Sequence, residues 1–257
     1  MAFAFQNLLV VAALFLGMVA SQELGRRLGQ HHRRVVPNGT GLSGAAEAAI
    51  FGLLGLFLAF TFSTVGTRFD ARRHMVVDEA NAIGTAWLRI DLLPADHQAP
   101  IRELFRQYLD ARLEMYRDAT DAAAISAAKA KVSALQAEIW RGAVAGAEVS
   151  GRVPPFTVLL PALNTMFDVA AARSAATLMH VPVMVFVIIG VLSLIAAVFA
   201  GYDMAGGQPR GPLHRVGFAA VLAVTIYIII DLDYPRLGLI RVETIDQILV
   251  DVRASMK

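Results

Sequence analysis

AAIFGLLGLFLAFTFSTV, residues Ala48–Val65, runs directly into GTRFDARRHMVVDEANAIGTAWLRIDLLP, residues Gly66–Pro94. The first part carries no charge in eighteen residues. At about 1.5 Å per residue it makes about 27 Å of helix, close to the roughly 30 Å hydrocarbon core of a bilayer. The second part is polar, with apolar residues every three or four positions and no Gly-Pro punctuation. The reading is a helix that leaves the lipid and keeps going, a membrane span prolonged into a stalk against which the rest of the chain packs.

Composition agrees with a membrane protein. The 257 residues are 56% hydrophobic, with a mean hydropathy of +0.57, too apolar for an ordinary soluble domain. Twenty arginines against three lysines lie mostly beside the apolar runs, where they flank spans, so no nucleic-acid partner is expected. Cysteine is absent, which removes disulfides, thiolate metal sites and cysteine nucleophiles together. There is no P-loop, HExxH or GxSxG, and His74, His97, His180 and His214 are scattered singly, so no enzyme, cofactor or metal is expected.

Working outward, Ala2–Ala20 is a first apolar run, too long and lacking the positive start of a signal peptide, and is read as a span. Residues 21–47 form a polar connection. Its His31-His32-Arg33-Arg34 cluster reads as a solvated basic flank, and Asn38-Gly39-Thr40 matches a glycosylation acceptor only at chance level. After a break at Pro94–Gln98, Ala99–Ala119 and Ala122–Ala147 are amphipathic, predicting an antiparallel helical hairpin with solvated charged faces. GRVPP, Gly151–Pro155, breaks the chain again, and Phe156–His180 reads as a helix at the membrane surface or among other helices. Val181–Ala200 and Val216–Ile230 are the third and fourth spans, joined by a Gly-rich connector, and the tail ends in a short amphipathic helix.

The expected architecture is therefore all-α: four transmembrane helices, a long stalk and a helical extramembrane body. Its parts are two spans with a basic connection over 1–65, the body over 66–180, two more spans over 181–235 and the tail over 236–257. Four spans put both termini and the body on one side of the membrane. Basic residues near the span ends number six on each side, so charge bias assigns no orientation.

LAFTFSTVGTRFD (Leu58–Asp70), the pair Arg72-Arg73 and EANAIGTAWLRIDLLP (Glu79–Pro94) resemble the uncharacterised bacterial bestrophin-like family. Asn164, Asp168 and Arg173, then His180 and Pro182, then DLDYPRLG (Asp231–Gly238) extend the resemblance over most of the chain. The likeness to true bestrophins, which are pentameric anion channels with some cation-selective bacterial members, is more distant and rests on Leu58–Phe69. It implies an oligomeric, anion-conducting channel in the bacterial inner membrane, a homopentamer whose partners are lipids, its own copies and permeant inorganic ions, with a cytoplasmic body. The second span would line the pore.

Laid on this sequence, the bestrophin neck falls on Gly52, Leu56 and Phe60, four residues apart. Phe60 keeps the aromatic position, Leu56 is smaller and Gly52 departs altogether, so the constriction would be shorter. Thr61, Ser63, Thr64 and Thr67 would line water, or bond within their own helix. The competing reading is packing alone, since Gly52, Gly55, Ala59 and Gly66 form a small-residue stripe with Gly55-x3-Ala59 as its closest-approach pattern.

Charges beside the spans also have two readings. Repeated by symmetry, Arg68, Arg72 and Arg73 would make a positive ring that concentrates anions. Alternatively, with Glu79, Asp168, Arg173, Asp231 and Asp233, they form helix-to-helix ion pairs. Asp231 and Asp233 take the place of the acidic cluster with which true bestrophins bind calcium, but two carboxylates fall short of the roughly six to eight oxygen ligands calcium takes, so no calcium site is expected. The alternative function is a non-conducting membrane scaffold or sensor whose body binds a partner protein.

Overall fold

The computed structural model describes residues 2–35, 44–117, 122–206, 212–235, 237–239 and 243–256. The Asn38-Gly39-Thr40 pattern, Arg210, Arg236 and Arg241 lie outside them. The described elements are all helical: α1 Ala2–Val35, α2 Gly44–Arg89, α3 Ala95–Arg117, α4 Ala122–Ser150, α5 Leu160–Ala176, α6 Val183–Asp203, α7 Pro212–Asp233 and α8 Glu243–Ser255. Short 3-10 and π-helical stretches, Ile90–Leu92 and Pro155–Leu159, precede α3 and α5. Contacts divide the chain into two compact units, Met1–Phe69 with His180–Ile240, and Asp70–Met179 with Arg241–Lys257.

In the first unit, α1 does not stop at Ala20 as the hydropathy suggests. It continues to Val35, taking in Arg26, Arg27 and the His31–Arg34 cluster. The cause is packing that hydropathy does not register. On the inner side of this extension Gln22, Gly25 and Gly29 are buried, and a Cβ at Gly25 would fall 1.9 Å from the Val198 carbonyl oxygen of α6. Gly201 answers from α6, where a Cβ would lie 2.0 Å from the Gln22 carbonyl oxygen. Backbone therefore meets backbone, the use that small residues four apart have between membrane helices.

Helix directions follow from the pairings. Gly17, Gly25 and Gly29 face Leu194, Val198 and Tyr202 in turn, so α1 and α6 run parallel. Glu23 near the end of α1 pairs with Arg215 at the start of α7 at 3.2 Å, while Val11 clusters with Ala219 and Ala223 further along it, so α7 runs against α1. Leu54 clusters with Ile189 and Ile226, and Val65 with Val181 and Ile229, so α2 runs against α6. The alternation is the one four successive spans require.

In the second unit α3 and α4 form the expected antiparallel hairpin. Gly146 lies against His97 and Gly142 against Ile101, Gln136 reaches Tyr108 at 3.5 Å and Lys131 reaches Glu114 at 3.7 Å. Ile101, Phe105, Tyr108, Leu109 and Ile139 are buried. The break before α3 is shorter than expected: the helix begins at Ala95 and contains Pro100. Pro94 stands just outside it, where a missing N–H removes no helical bond, and Gln98 Nε2 donates to the Leu93 carbonyl at 2.8 Å, closing the corner. Helix α4 ends where Gly151 adopts φ +60 and its N–H returns to the Ala147 carbonyl at 3.2 Å, the left-handed terminus that glycine allows.

Among the described residues five helices are long and apolar enough to cross a membrane, one more than the sequence suggests. The additional one, Pro155–Ala176, is the least apolar of the five. It packs on α4 and buries Leu163, Met166, Ala170 and Arg173, so its apolar residues serve the second unit's core. Helix α8 rests on α3 through Arg253, which donates to both Asp110 oxygens at 2.8 and 2.9 Å, and through Arg106, whose Nε donates to the Met256 carbonyl at 3.1 Å.

Candidate functional site

Helix α2 presents two faces in the first unit. Leu54, Thr61 and Val65 are buried among its neighbours, and the Thr61 hydroxyl donates to the Phe57 carbonyl at 2.7 Å. On the other side Gly52, Leu56, Phe60, Ser63, Thr64 and Thr67 are all exposed, with none of the other described residues covering them. Phe60 is 66% and Leu56 50% exposed. Steps of three or four residues set these side chains on one line along the helix. Thr64 and Thr67 turn their hydroxyl protons back to the Phe60 and Ser63 carbonyls at 2.8 and 2.9 Å, which leaves the oxygen lone pairs outward.

The glycines of the small-residue stripe meet no other described residue. A Cβ at Gly52, Gly55 or Gly66 would meet nothing within 4 Å. The pattern that brings helices together here is Gly25-x3-Gly29 on α1, which lay in the stretch read as a connection. Beyond the hydroxyls the exposed register of α2 continues with Asp70, His74 and Asp78.

The charged residues fall into separate groups. Arg72 is 8% exposed, and its guanidinium donates to the Ala176 carbonyl at 3.2 Å and the Met179 carbonyl at 2.6 Å. It therefore caps the end of α5, where carbonyls have no helical donor. Arg73 pairs with Asp70 at 3.6 Å on the surface. Arg68 is half-buried, and its Nη1 has no hydrogen-bond partner. Asp168 is exposed and accepts from Asn164 at 3.0 Å rather than from an arginine.

Glu79 and Arg173 do come together, in a buried network that the sequence did not reveal in full. Glu79 accepts from Arg112 and from Arg173, both at 2.6 Å, and Arg173 also donates to Asp246 of α8 at 2.6 Å. Burial alone would push the Glu79 carboxyl up; Arg112 and Arg173 outweigh it and hold the group below its ordinary value. Arg112 was missed because its charge placed it on the solvated side of α3. The signal was its register: Ile101, Phe105, Tyr108 and Arg112 share one stripe.

Asp231 and Asp233 organise the end of α7. Leu239 N–H donates to both Asp231 oxygens at 2.8 and 3.0 Å, and only a glycine at 238 lets the chain turn so closely beneath that carboxylate, since a Cβ there would lie 2.3 Å from Oδ1. Asp233 Oδ2 accepts the Val181 N–H at 3.0 Å, and His180 Nδ1 lies 3.1 Å from the Asp233 carbonyl while its ring stacks on Tyr234 at 4.1 Å. The motif is thus a backbone clamp joining α7 to the start of α6. Among the described residues no group of three His, Asp or Glu is arranged to hold a metal.

A family model described as a Bestrophin-like domain matches residues 8–246. No curated protein matches the sequence. Among solved structures, a bacterial Bestrophin homolog from Klebsiella pneumoniae is similar over 95% of this chain and 98% of its own, with 15% sequence identity and a TM-score of 0.70. A tryptophan-to-alanine variant of that homolog aligns over 96% and 98%, with 14% identity and a TM-score of 0.73. At these identities the likeness is one of fold.

Proposed function

The chain belongs to the bestrophin-like family, and we propose that it works as a membrane ion channel whose path is lined by the exposed face of α2. The observation that carries this reading is the line Gly52, Leu56, Phe60, Ser63, Thr67, left uncovered by the other described residues. Copies of the helix gathered about a common axis turn that line inward. Five is the number the bestrophin resemblance implies. Leu56 and Phe60 then form an apolar neck that gates by dewetting, Gly52 opens the mouth, and the exposed hydroxyl residues Ser63, Thr64 and Thr67 meet partly hydrated ions below it. The location is the bacterial inner membrane, with the second unit in the cytoplasm.

The permeant species are inorganic ions. The anion preference implied by resemblance would draw on Arg68, Arg72 and Arg73. Arg72 is occupied in capping α5 and Arg73 is paired with Asp70, so the positive ring is weak. The exposed register beyond the hydroxyls carries Asp70 and Asp78 instead.

Because the chain has no cysteine, single substitutions report solvent access cleanly. Leu56→Cys, Phe60→Cys and Ser63→Cys in reconstituted protein are expected to react with a charged, membrane-impermeant thiol reagent and to lose current as they do. Val187→Cys, equally exposed but on α6, is the lipid-facing control and should stay unreactive. Reaction at Val187 with none at Phe60 would reject the assignment.

A further inference from the structure

We propose that the C-terminal part of α1 is a docking surface for anionic phospholipid headgroups. Helix α1 outlasts the bilayer core. From Phe5 to Leu28 it already spans about 36 Å at about 1.5 Å per residue, against about 30 Å of hydrocarbon, and it continues to Val35. The last turns therefore lie at headgroup depth.

Their two sides differ. The inner side is filled by Gln22, Gly25 and Gly29 against α6. The outer side carries Leu24, Arg27, Leu28, His31, Arg34 and Val35, all exposed, with Leu24 at 53%, Leu28 at 50% and Val35 at 65%. Apolar and cationic side chains alternate on that one face. Water alone suits the arginines and leaves the leucines bare; acyl chains alone do the reverse. An interface satisfies both, with leucines against the upper acyl carbons and guanidiniums on phosphate.

The charge balance selects an anionic lipid. Glu23 is the nearest acid, and its two oxygens are shared among Arg26 at 2.7 Å, Arg27 at 3.0 Å and Arg215 at 3.2 Å. One carboxylate among three guanidiniums leaves a net positive cluster, and the exposed Arg34 adds to it on the outer side, while Arg33 lies against Gly206. A basic segment at the end of a span attracts anionic headgroups in this way.

The test is native mass spectrometry of the detergent-purified full chain titrated with phosphatidylglycerol, phosphatidylcholine or inorganic phosphate. Phosphatidylglycerol should be retained in preference to phosphatidylcholine. Arg27→Gln/Arg34→Gln should weaken that retention by roughly tenfold, and Arg27→Lys/Arg34→Lys should keep most of it. Circular dichroism should show unchanged helicity in both variants. Equal retention of the two lipids, or retention indifferent to the glutamines, would overturn the proposal. So would displacement of the lipid by inorganic phosphate, which would mark a simple anion site, or a smaller oligomer in Leu28→Ser, which would mark this face as a contact between copies.

Discussion

Arg112 on α3 and Glu79 on α2 meet with Nε 2.6 Å from Oε1 across 33 residues of sequence, and both side chains are sealed from solvent. Arg173 of α5 takes the other Glu79 oxygen and links it to Asp246 of α8. One carboxylate thus ties three helices of the second unit together and, through Arg173, reaches a fourth. Burying these charges is itself costly, and the arrangement holds only while each has its partners.

Removing Glu79 takes the shared carboxylate from two buried guanidiniums, while Arg173 keeps Asp246 and Arg112 keeps the Ser174 hydroxyl. Glu79→Ala should lower unfolding free energy by about 3–5 kcal/mol, as breaking a buried pair does. Thermal unfolding in detergent, followed by circular dichroism, checks it. A loss below about 1 kcal/mol, the range of exposed pairs, would show that the network is peripheral.

The same carboxylate sets an acid limit. Its folded pKa lies below the ordinary value of 4.5, so the unfolded state binds its proton first as pH falls. The stability it contributes is fully present above about pH 4.5 and is lost as pH drops through the folded value. Stability measured against pH should fall in that acid window in the wild type, and less steeply in Glu79→Gln, which begins less stable. An equal slope in the two would remove Glu79 as the cause.

Gly25→Ala or Gly201→Ala places a methyl about where the partner helix's backbone already sits. Overpacking of this kind costs about 1–3 kcal/mol or more. Gly84→Ala, within α2 and with open space around it, should instead stabilise by about 0.5–1 kcal/mol, the usual helix gain over glycine. Melting temperatures of the three variants, moving in opposite directions, are the check.

Neutralising Asp70 reports on the sign of the field along α2. Asp70→Asn removes one carboxylate per copy from the exposed register and with it the surface pair to Arg73. Chloride permeability relative to potassium should rise, as read from reversal potentials in a salt gradient. An unchanged ratio would place Asp70 away from the ions.

Much of the fold was legible because apolar length is a strong signal: α2, α6 and α7 fall within a few residues of the runs that define them. The α3–α4 hairpin was legible because its apolar residues recur at helical spacing. The extension of α1 to Val35 was not, since Arg26, Arg27 and the histidines read as solvent while the feature that holds the turn in place is glycine, which hydropathy ignores. Arg112 and Asp246 were hidden for the complementary reason: a charge is assumed to face water until its partners are known, and those partners are 33 and 73 residues away. The line from Gly52 to Thr67 was drawn from resemblance rather than from periodicity; the structure adds that this face has no partner among the described residues.

The central claim, that copies of α2 enclose an aqueous path through the Leu56 and Phe60 neck, is tested most directly by single-channel recording of the reconstituted protein beside Phe60→Ala. The expected result is an ion current in the wild type and a larger unitary conductance or longer openings once the aromatic ring is gone. Folded, reconstituted protein that passes no current, or a Phe60→Ala current identical to the wild type's, would contradict it.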